Sequence, residues 1–443
     1  MRSIETREIP ASFDVLSRLV NWANRATVSC LLTSNQNKDR YGAFDMLLGV
    51  EAHTQLVTST GLAFDKLSQY RKKTQDYILG FLTYDLKNEL EDLDSNNPDH
   101  LEFPELYFFQ PEKLVKLNGN QITFMYLPHV AHEIEADYQG LLSQHEFKNQ
   151  AAPITKPKIQ VRFNRDAYCS QVNKMLDHIH RGDIYEANFC QEFYAKAAID
   201  PVKSFLHLNE ISEAPFAAFF KKDVQFALCS SPERFLVKRG TKLISQPIKG
   251  TAPRHMDHKL DTKLASMLAQ DAKERSENIM ITDLVRNDLS KNARKGSVVV
   301  EELCKVYSFK QVHQMISTIS AEVDLQEDPV ELLKMAYPMG SMTGAPKVSA
   351  MQIIEELENH QRGLYSGSIG YFEPNGDFDF NVVIRSILYN AAKPYVSFSV
   401  GSAITAPATA SKEYEEETGK KFPRFKDISS AVEAAEKRSN KGG

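Results

Sequence analysis

An Asn-Gly turn inside Pro374-Asn375-Gly376-Asp377 is the feature that most narrowly constrains how this chain folds. Such a turn supplies the positive φ angles that suit the twist of two antiparallel strands, so the flanking residues are expected to pair as a hairpin. On the returning side Asp379, Asn381, Val383 and Arg385 fall on one face of an alternating strand, opposite Phe378, Phe380, Val382 and Ile384. Arg385 is therefore expected on a rigid platform.

Helical patterns alternate with strand-like ones. Residues 165–181 place Tyr168, Val172, Met175, Leu176 and Ile179 on one helical face and stop at Gly182, a residue suited to the left-handed position after a helix. A strand from Ile184 to Phe193 and strand-like runs over 225–237 and 242–249 follow. One helix is expected from Leu260 to Leu289, with Glu274, Glu277, Ile281 and Leu284 on a shared stripe. Thr343-Gly344-Ala345-Pro346 reads as an N-cap, a glycine and a first-turn proline opening a helix that buries Ala350, Ile353, Ile354 and Leu357.

No internal repeat is visible. A polar, proline-containing stretch, 148–157, divides an N-terminal part, 1–150, from a region dense in motifs, 160–425, and the Ala-, Lys- and Ser-rich residues 426–443 read as a disordered tail.

A net charge of -5 without a dense basic stripe gives no footprint for nucleic acid or anionic lipid, so small-molecule chemistry is expected. The N-terminal residues lack a signal-peptide pattern and no apolar run is long enough to span a bilayer, which points to a cytoplasmic protein with no membrane partner. The five cysteines are scattered and never form a Cys-x-x-Cys pair, so neither disulfides nor zinc are indicated.

Three sets of residues carry candidate chemistry, each with a plainer reading beside it. Glu274 and Glu277, with the acidic run 413–417, suit a hard divalent cation, or else are solvated helix faces. Lys249, between Ile248 and Gly250, is a nucleophile if its amine is neutral, or else a surface lysine. Glu233 is a general acid whose pKa burial raises, or else the ion-pair partner of Arg234.

The succession Gly182-Asp183-Ile184-Tyr185-Glu186-Ala187-Asn188, Ser231-Pro232-Glu233-Arg234-Phe235, Pro247-Ile248-Lys249-Gly250-Thr251, the run from Glu277 to Asp288, Tyr337 to Lys347, and Tyr365-Ser366-Gly367-Ser368-Ile369-Gly370-Tyr371 resembles the chorismate-utilising enzymes. The resemblance is dense over 160–422 and thinner in the N-terminal part, at Gly80 to Asn88 and Phe103 to Phe109. It implies an α+β fold of two facing antiparallel sheets with outer helices and a site between the sheets. It also implies Mg²⁺ held by Glu277 and Glu416, with Glu274 and Glu413 close by. Thr251, Tyr365, Arg385 and the backbone at Gly401 would take the carboxylates of chorismate, joined by Lys420 and by the helix opened at Gly344. His313 matches a family histidine near the reacting hydroxyl, against the alternative of a core histidine bonded to backbone.

Within the family the nucleophile differs between branches. Water-activating members resemble one another in a lysine where this chain has Glu186, and anthranilate synthase typically has alanine where it has Lys249. The resemblance thus implies the branch that converts chorismate and ammonia to 4-amino-4-deoxychorismate, the precursor of 4-aminobenzoate for folate, through a covalent Lys249 intermediate with Glu233 as general acid. Ammonia would come from a separate glutamine amidotransferase subunit. The competing readings are component I of anthranilate synthase and a non-catalytic chorismate-binding homologue.

Departures from the family pattern are local. Residues 401–410 replace its glycine-rich turn, Cys30 to Asn35 stand where an effector motif would lie, and Glu186 replaces the usual glutamine of aminating members. That last charge is either paired or tunes Lys249.

Overall fold

The computed structural model describes residues 1–10, 13–59, 61–143 and 158–418, apart from the side chains of Glu416 and Glu417. The expected boundary over 148–157, the tail 426–443 and Lys420 lie outside the described residues.

The Asn-Gly hairpin forms: Ser368–Phe372 pairs antiparallel with Phe378–Asn381, and Gly376 at the turn has φ +88. Alternation ends sooner than the pattern suggested. Residues 382–385 leave the strand, Val382 and Val383 both enter the core, and Arg385 takes φ +51 before a new strand begins at Ser386. Arg385 therefore sits at a break between strands rather than on one.

All the strand pairings are antiparallel, and they radiate in two directions from the long strand Leu106–Asn118. One branch runs through Met46–Thr58, Val28–Thr33, Phe216–Lys222, Gln225–Ser231, Ser386–Asn390 and Tyr395–Thr405 to Glu186–Lys196. The other runs through Ile78–Leu82, Ser368–Phe372, Phe378–Asn381, Arg234–Arg239 and Lys242–Gln246 to Val312–Glu322, which also pairs with Ile248–Pro253 and Val299–Ser308. The two branches enclose a common apolar core in which Phe81, Phe108, Phe220, Phe372 and Phe380 are all buried. In this α+β chain helices pack against both branches, which hydrogen bonding joins into one 20-stranded sheet among the described residues. None of the described helices is long and apolar enough to cross a membrane.

Several elements break where the sequence reads as continuous. The run 225–237 splits at Pro232-Glu233, and 242–249 splits at Pro247, where proline removes a ladder donor. The helix expected over 260–289 is two helices, His258–Gln270 and Ala272–Ser290, with the Asp271 carboxylate capping the second through the Glu274 amide. Helix Arg165–Arg181 forms as read, with its predicted face buried and Gly182 at φ +87.

The stretch Thr343 to Pro346 differs from expectation. Thr343 does not cap the helix; its hydroxyl donates to the carbonyls of Met339 and Gly340, and Lys347–Leu357 begins after Pro346 without a side-chain cap. Gly344 and Ala345 pair instead with Ala187 and Glu186. A Cβ on Gly344 would lie 2.1 Å from the Glu186 carbonyl, so only glycine admits this approach.

Candidate active site

The strand breaks create the site. Pro232-Glu233 turns the chain where Gln225–Ser231 hands over to Arg234–Arg239, and Pro247 starts the strand that carries Lys249 and Thr251. Glu233, Lys249 and Thr251 face one pocket whose far wall is Asn188 and the segment Ser399–Ala403. Helix Ala272–Ser290 presents Glu274 and Glu277 from one side, and helix Ala410–Glu417 presents Glu413 from the other. Tyr365 and Arg385 close it.

Glu233 is not the partner of Arg234. The Arg234 guanidinium is bound by both carboxylate oxygens of Asp379, at 2.9 Å each, and by Asp39. Glu233, only 4% exposed, is left facing the pocket. Burial pushes its carboxyl up to about 7, and the opposing pull of the Ser341 hydroxyl and of the Lys249 and Arg385 charges does not offset that. Near neutrality it is a carboxylic acid with a proton to give.

Lys249 is not a surface lysine either. Its ammonium lies 2.8 Å from Glu186 Oε1, and Glu186 is 1% exposed. Burial alone would lower the amine's pKa, but the Glu186 carboxylate, with Glu277 and Glu233 farther off, more than reverses this and raises it. The charged form is the resting form. Burial therefore does not leave a neutral amine at rest.

Three carboxylates, Glu274, Glu277 and Glu413, converge on the pocket. Burial pushes Glu277 up to about 7, with Glu186 and Glu274 adding to the rise and Lys249 and Lys273 opposing it. Glu277 also meets Lys273, half exposed, at 3.7 Å. Ser402 donates to Glu413, and Thr405 lies 3.4 Å from Glu277 Oε1. Carboxylates brought to one pocket by two helices suit a hard divalent cation. The Glu416 side chain and Lys420 lie outside the described residues. Elsewhere His53 and Glu112, on strands, and His129, on the short helix Pro128–Glu133, bring ligand atoms within 4.8 Å of one another, but none of them lines this pocket.

Two expected residues are not brought to the pocket wall. Gly344 packs behind Glu186 instead. His313 faces the other side of its strand, 1% exposed, with Nε2 3.0 Å from Asp261 and Nδ1 2.8 Å from the Ser308 hydroxyl. Because side chains alternate along a strand, it is Gln314 that enters the pocket. Its Oε1 is buried with no hydrogen-bond partner among the described residues. Asn188 and Ser402 were likewise missed; the pairing of Glu186–Lys196 with Tyr395–Thr405, which places both, spans residues too distant to read from local pattern.

In comparison with known proteins the chain matches one group. Residues 28–426 match the sequence profile described as chorismate binding enzyme. The chain is 36% identical over 342 residues, 77% of its length and 74% of the relative's, to aminodeoxychorismate synthase component 1 of Escherichia coli (strain K12). It is 31% identical over 352 residues, 76% of its length and 74% of the relative's, to anthranilate synthase component 1 of Thermus thermophilus. Its fold superposes on the crystal structure of anthranilate synthase component I from Streptococcus pneumoniae TIGR4 with a TM-score of 0.77 at 21% identity, covering 89% of this chain and 95% of that one.

Proposed function

The chain belongs to the chorismate binding enzymes, and on that premise we propose that it is an aminodeoxychorismate synthase component I, which replaces the 4-hydroxyl of chorismate by an amino group to give 4-amino-4-deoxychorismate. The product feeds 4-aminobenzoate and folate synthesis. The observation that carries the reading is the placement of Lys249 opposite Glu233 in one pocket. A branch that let ammonia attack carbon 2 directly would have no use for a lysine there.

The steps follow from the two side chains. Lys249, once deprotonated, directs its lone pair at carbon 2 of the ring; the ring double bonds shift and the bond from carbon 4 to its hydroxyl breaks. Glu233, held as a neutral acid, gives its proton to the departing oxygen, which leaves as water. Ammonia then bonds to carbon 4, the double bonds shift back and Lys249 is released. Arg385, Tyr365 and Thr251 hold the carboxylates of the substrate, where the planar guanidinium offers a paired set of donors. Gln314 offers an acceptor to a hydroxyl or to ammonia.

Glu274, Glu277 and Glu413 would hold Mg²⁺, with Glu416 as a fourth candidate. When bound, that ion would offset the charge of the carboxylates and supply electron withdrawal from the substrate as a Lewis acid. Ammonia comes from a separate glutamine amidotransferase chain.

Mass spectrometry after incubation with chorismate, Mg²⁺ and no ammonia tests the reading. An adduct on Lys249, lost in Lys249→Ala together with turnover, is expected. Strong anthranilate fluorescence from wild-type protein supplied with ammonium would instead assign the chain to the anthranilate-forming branch.

A further inference from the structure

Resting on that reading, we infer that Glu186 is the proton acceptor that converts Lys249 from an ammonium ion into a nucleophile. Glu186 opens the strand Glu186–Lys196 and is 1% exposed, with Oε1 2.8 Å from Lys249 Nζ. It does not line the pocket, whereas Lys249 does. The order from substrate inward is therefore pocket, amine, carboxylate, and a proton leaving the amine for Glu186 moves away from the reacting carbon. Glu186 Oε2 is buried with no hydrogen-bond partner among the described residues. That oxygen has lone pairs free to take a proton.

The step is balanced within the pair. One N–H bond of Lys249 breaks, one O–H bond forms on Glu186, and a cation and an anion become a neutral amine and a neutral acid with no change in net charge. Keeping two ions out of water is costly, so conversion to a neutral pair is least opposed where both partners are buried. Lys249 also faces Glu277 from helix Ala272–Ser290 and Glu233 from the corner at Pro232. Neither substitutes for Glu186. Glu233 must keep its own proton for the leaving hydroxyl, and Glu277 belongs to the cation set; among the described residues it is Glu186 that makes the ion-pair contact with Lys249. The surrounding backbone fixes Glu186 closely, since Gly344 sits against its carbonyl and Thr405 lies opposite it in the ladder.

The test compares the dependence of kcat on pH for wild type, Glu186→Gln, Glu186→Asp and Lys249→Ala, with thermal melts to confirm folding. Glutamine keeps the shape and an acceptor oxygen but cannot take the proton. We expect Glu186→Gln to lower kcat about 100-fold near neutral pH, the range of a lost general base. Loss of the Glu233 proton above about pH 7 is common to both enzymes, so the ratio of the variant's kcat to the wild-type kcat should climb as rising pH deprotonates Lys249 from solvent. The KM for chorismate should hold, because Glu186 does not line the pocket, and Glu186→Asp should restore part of the rate. Wild-type kcat in Glu186→Gln overturns the inference, and so does a ratio to the wild-type kcat that stays flat as pH rises, which would mark a structural role. Turnover surviving in Lys249→Ala overturns the proposed function instead.

Discussion

At the residue scale, the decisive difference lies between two buried groups whose environments push them in opposite directions. For Glu233 burial outweighs the charges around it, and it keeps its proton to about pH 7; Lys249 is buried against a carboxylate and keeps its charge. Turnover should therefore fall as pH rises through about 7, because Glu233 donates only while protonated and its pKa sits there. The sign is that of a raised acid: protonated and competent below that value, ionised and silent above it. Glu233→Gln should lower kcat by roughly 10²–10⁴-fold and remove this alkaline limb, measured as kcat against pH at saturating chorismate. A variant that kept the limb would place the titrating group elsewhere. Lys249 and Glu233 were both legible as oddities in the sequence. Their charge states were not: that of Glu233 follows from burial, and that of Lys249 from Glu186, some sixty residues away in sequence yet 2.8 Å away in space.

At the scale of elements, the sequence pattern reported the kind of structure well and its interruptions poorly. Helix Arg165–Arg181 and the hairpin at Gly376 were legible because their end signals are chemical: a left-handed glycine after a helix, an Asn-Gly turn between strands. The breaks at Pro232, Pro247 and Asp271 were not, because the same kind of element resumes directly beyond each. Those breaks are what aim Glu233, Lys249 and Glu274 at one space. His313 shows how sharp the phase requirement is, since a shift of one residue along Val312–Glu322 exchanges the pocket face for the buried face. Gly344 belongs to this scale too, as the spacing element behind Glu186. Gly344→Ala should cost about 1–3 kcal/mol in chemical unfolding, because its Cβ would meet the Glu186 carbonyl at 2.1 Å and Ala350 Cβ at 2.8 Å. It should also reduce turnover by displacing the strand that carries Glu186. Unchanged stability would mean that the contact with Glu186–Lys196 is looser than these distances indicate.

For the whole molecule, strand pairing ties the N-terminal residues to those that line the pocket. Chemistry is concentrated after residue 160, yet the strands that support it pair with the N-terminal part: Phe216–Lys222 with Val28–Thr33, and Ser368–Phe372 with Ile78–Leu82. Local pattern cannot show such pairings, because they join segments separated by nearly two hundred to nearly three hundred residues. The same seam holds charge. Arg234, 1% exposed and next in sequence to Glu233, is bound by Asp39 from one side and Asp379 from the other. Removing residues 1–150 would strip one carboxylate from a buried guanidinium, leave two strands without a neighbour on one edge, and expose the rings of Phe220, Phe372 and Phe380 that Phe81 and Phe108 now cover. A fragment spanning 160–425 should consequently show no cooperative unfolding transition by circular dichroism and no chorismate turnover. Adding Arg234→Leu to the full chain should reproduce part of the defect, at about 3–5 kcal/mol, since Asp39 and Asp379 would be left without their shared cation. A fragment that melted cooperatively and bound chorismate would instead make the catalytic region an independent folding unit. The pairings from Val28–Thr33 and Ile78–Leu82 would then serve to position the pocket rather than to hold it together.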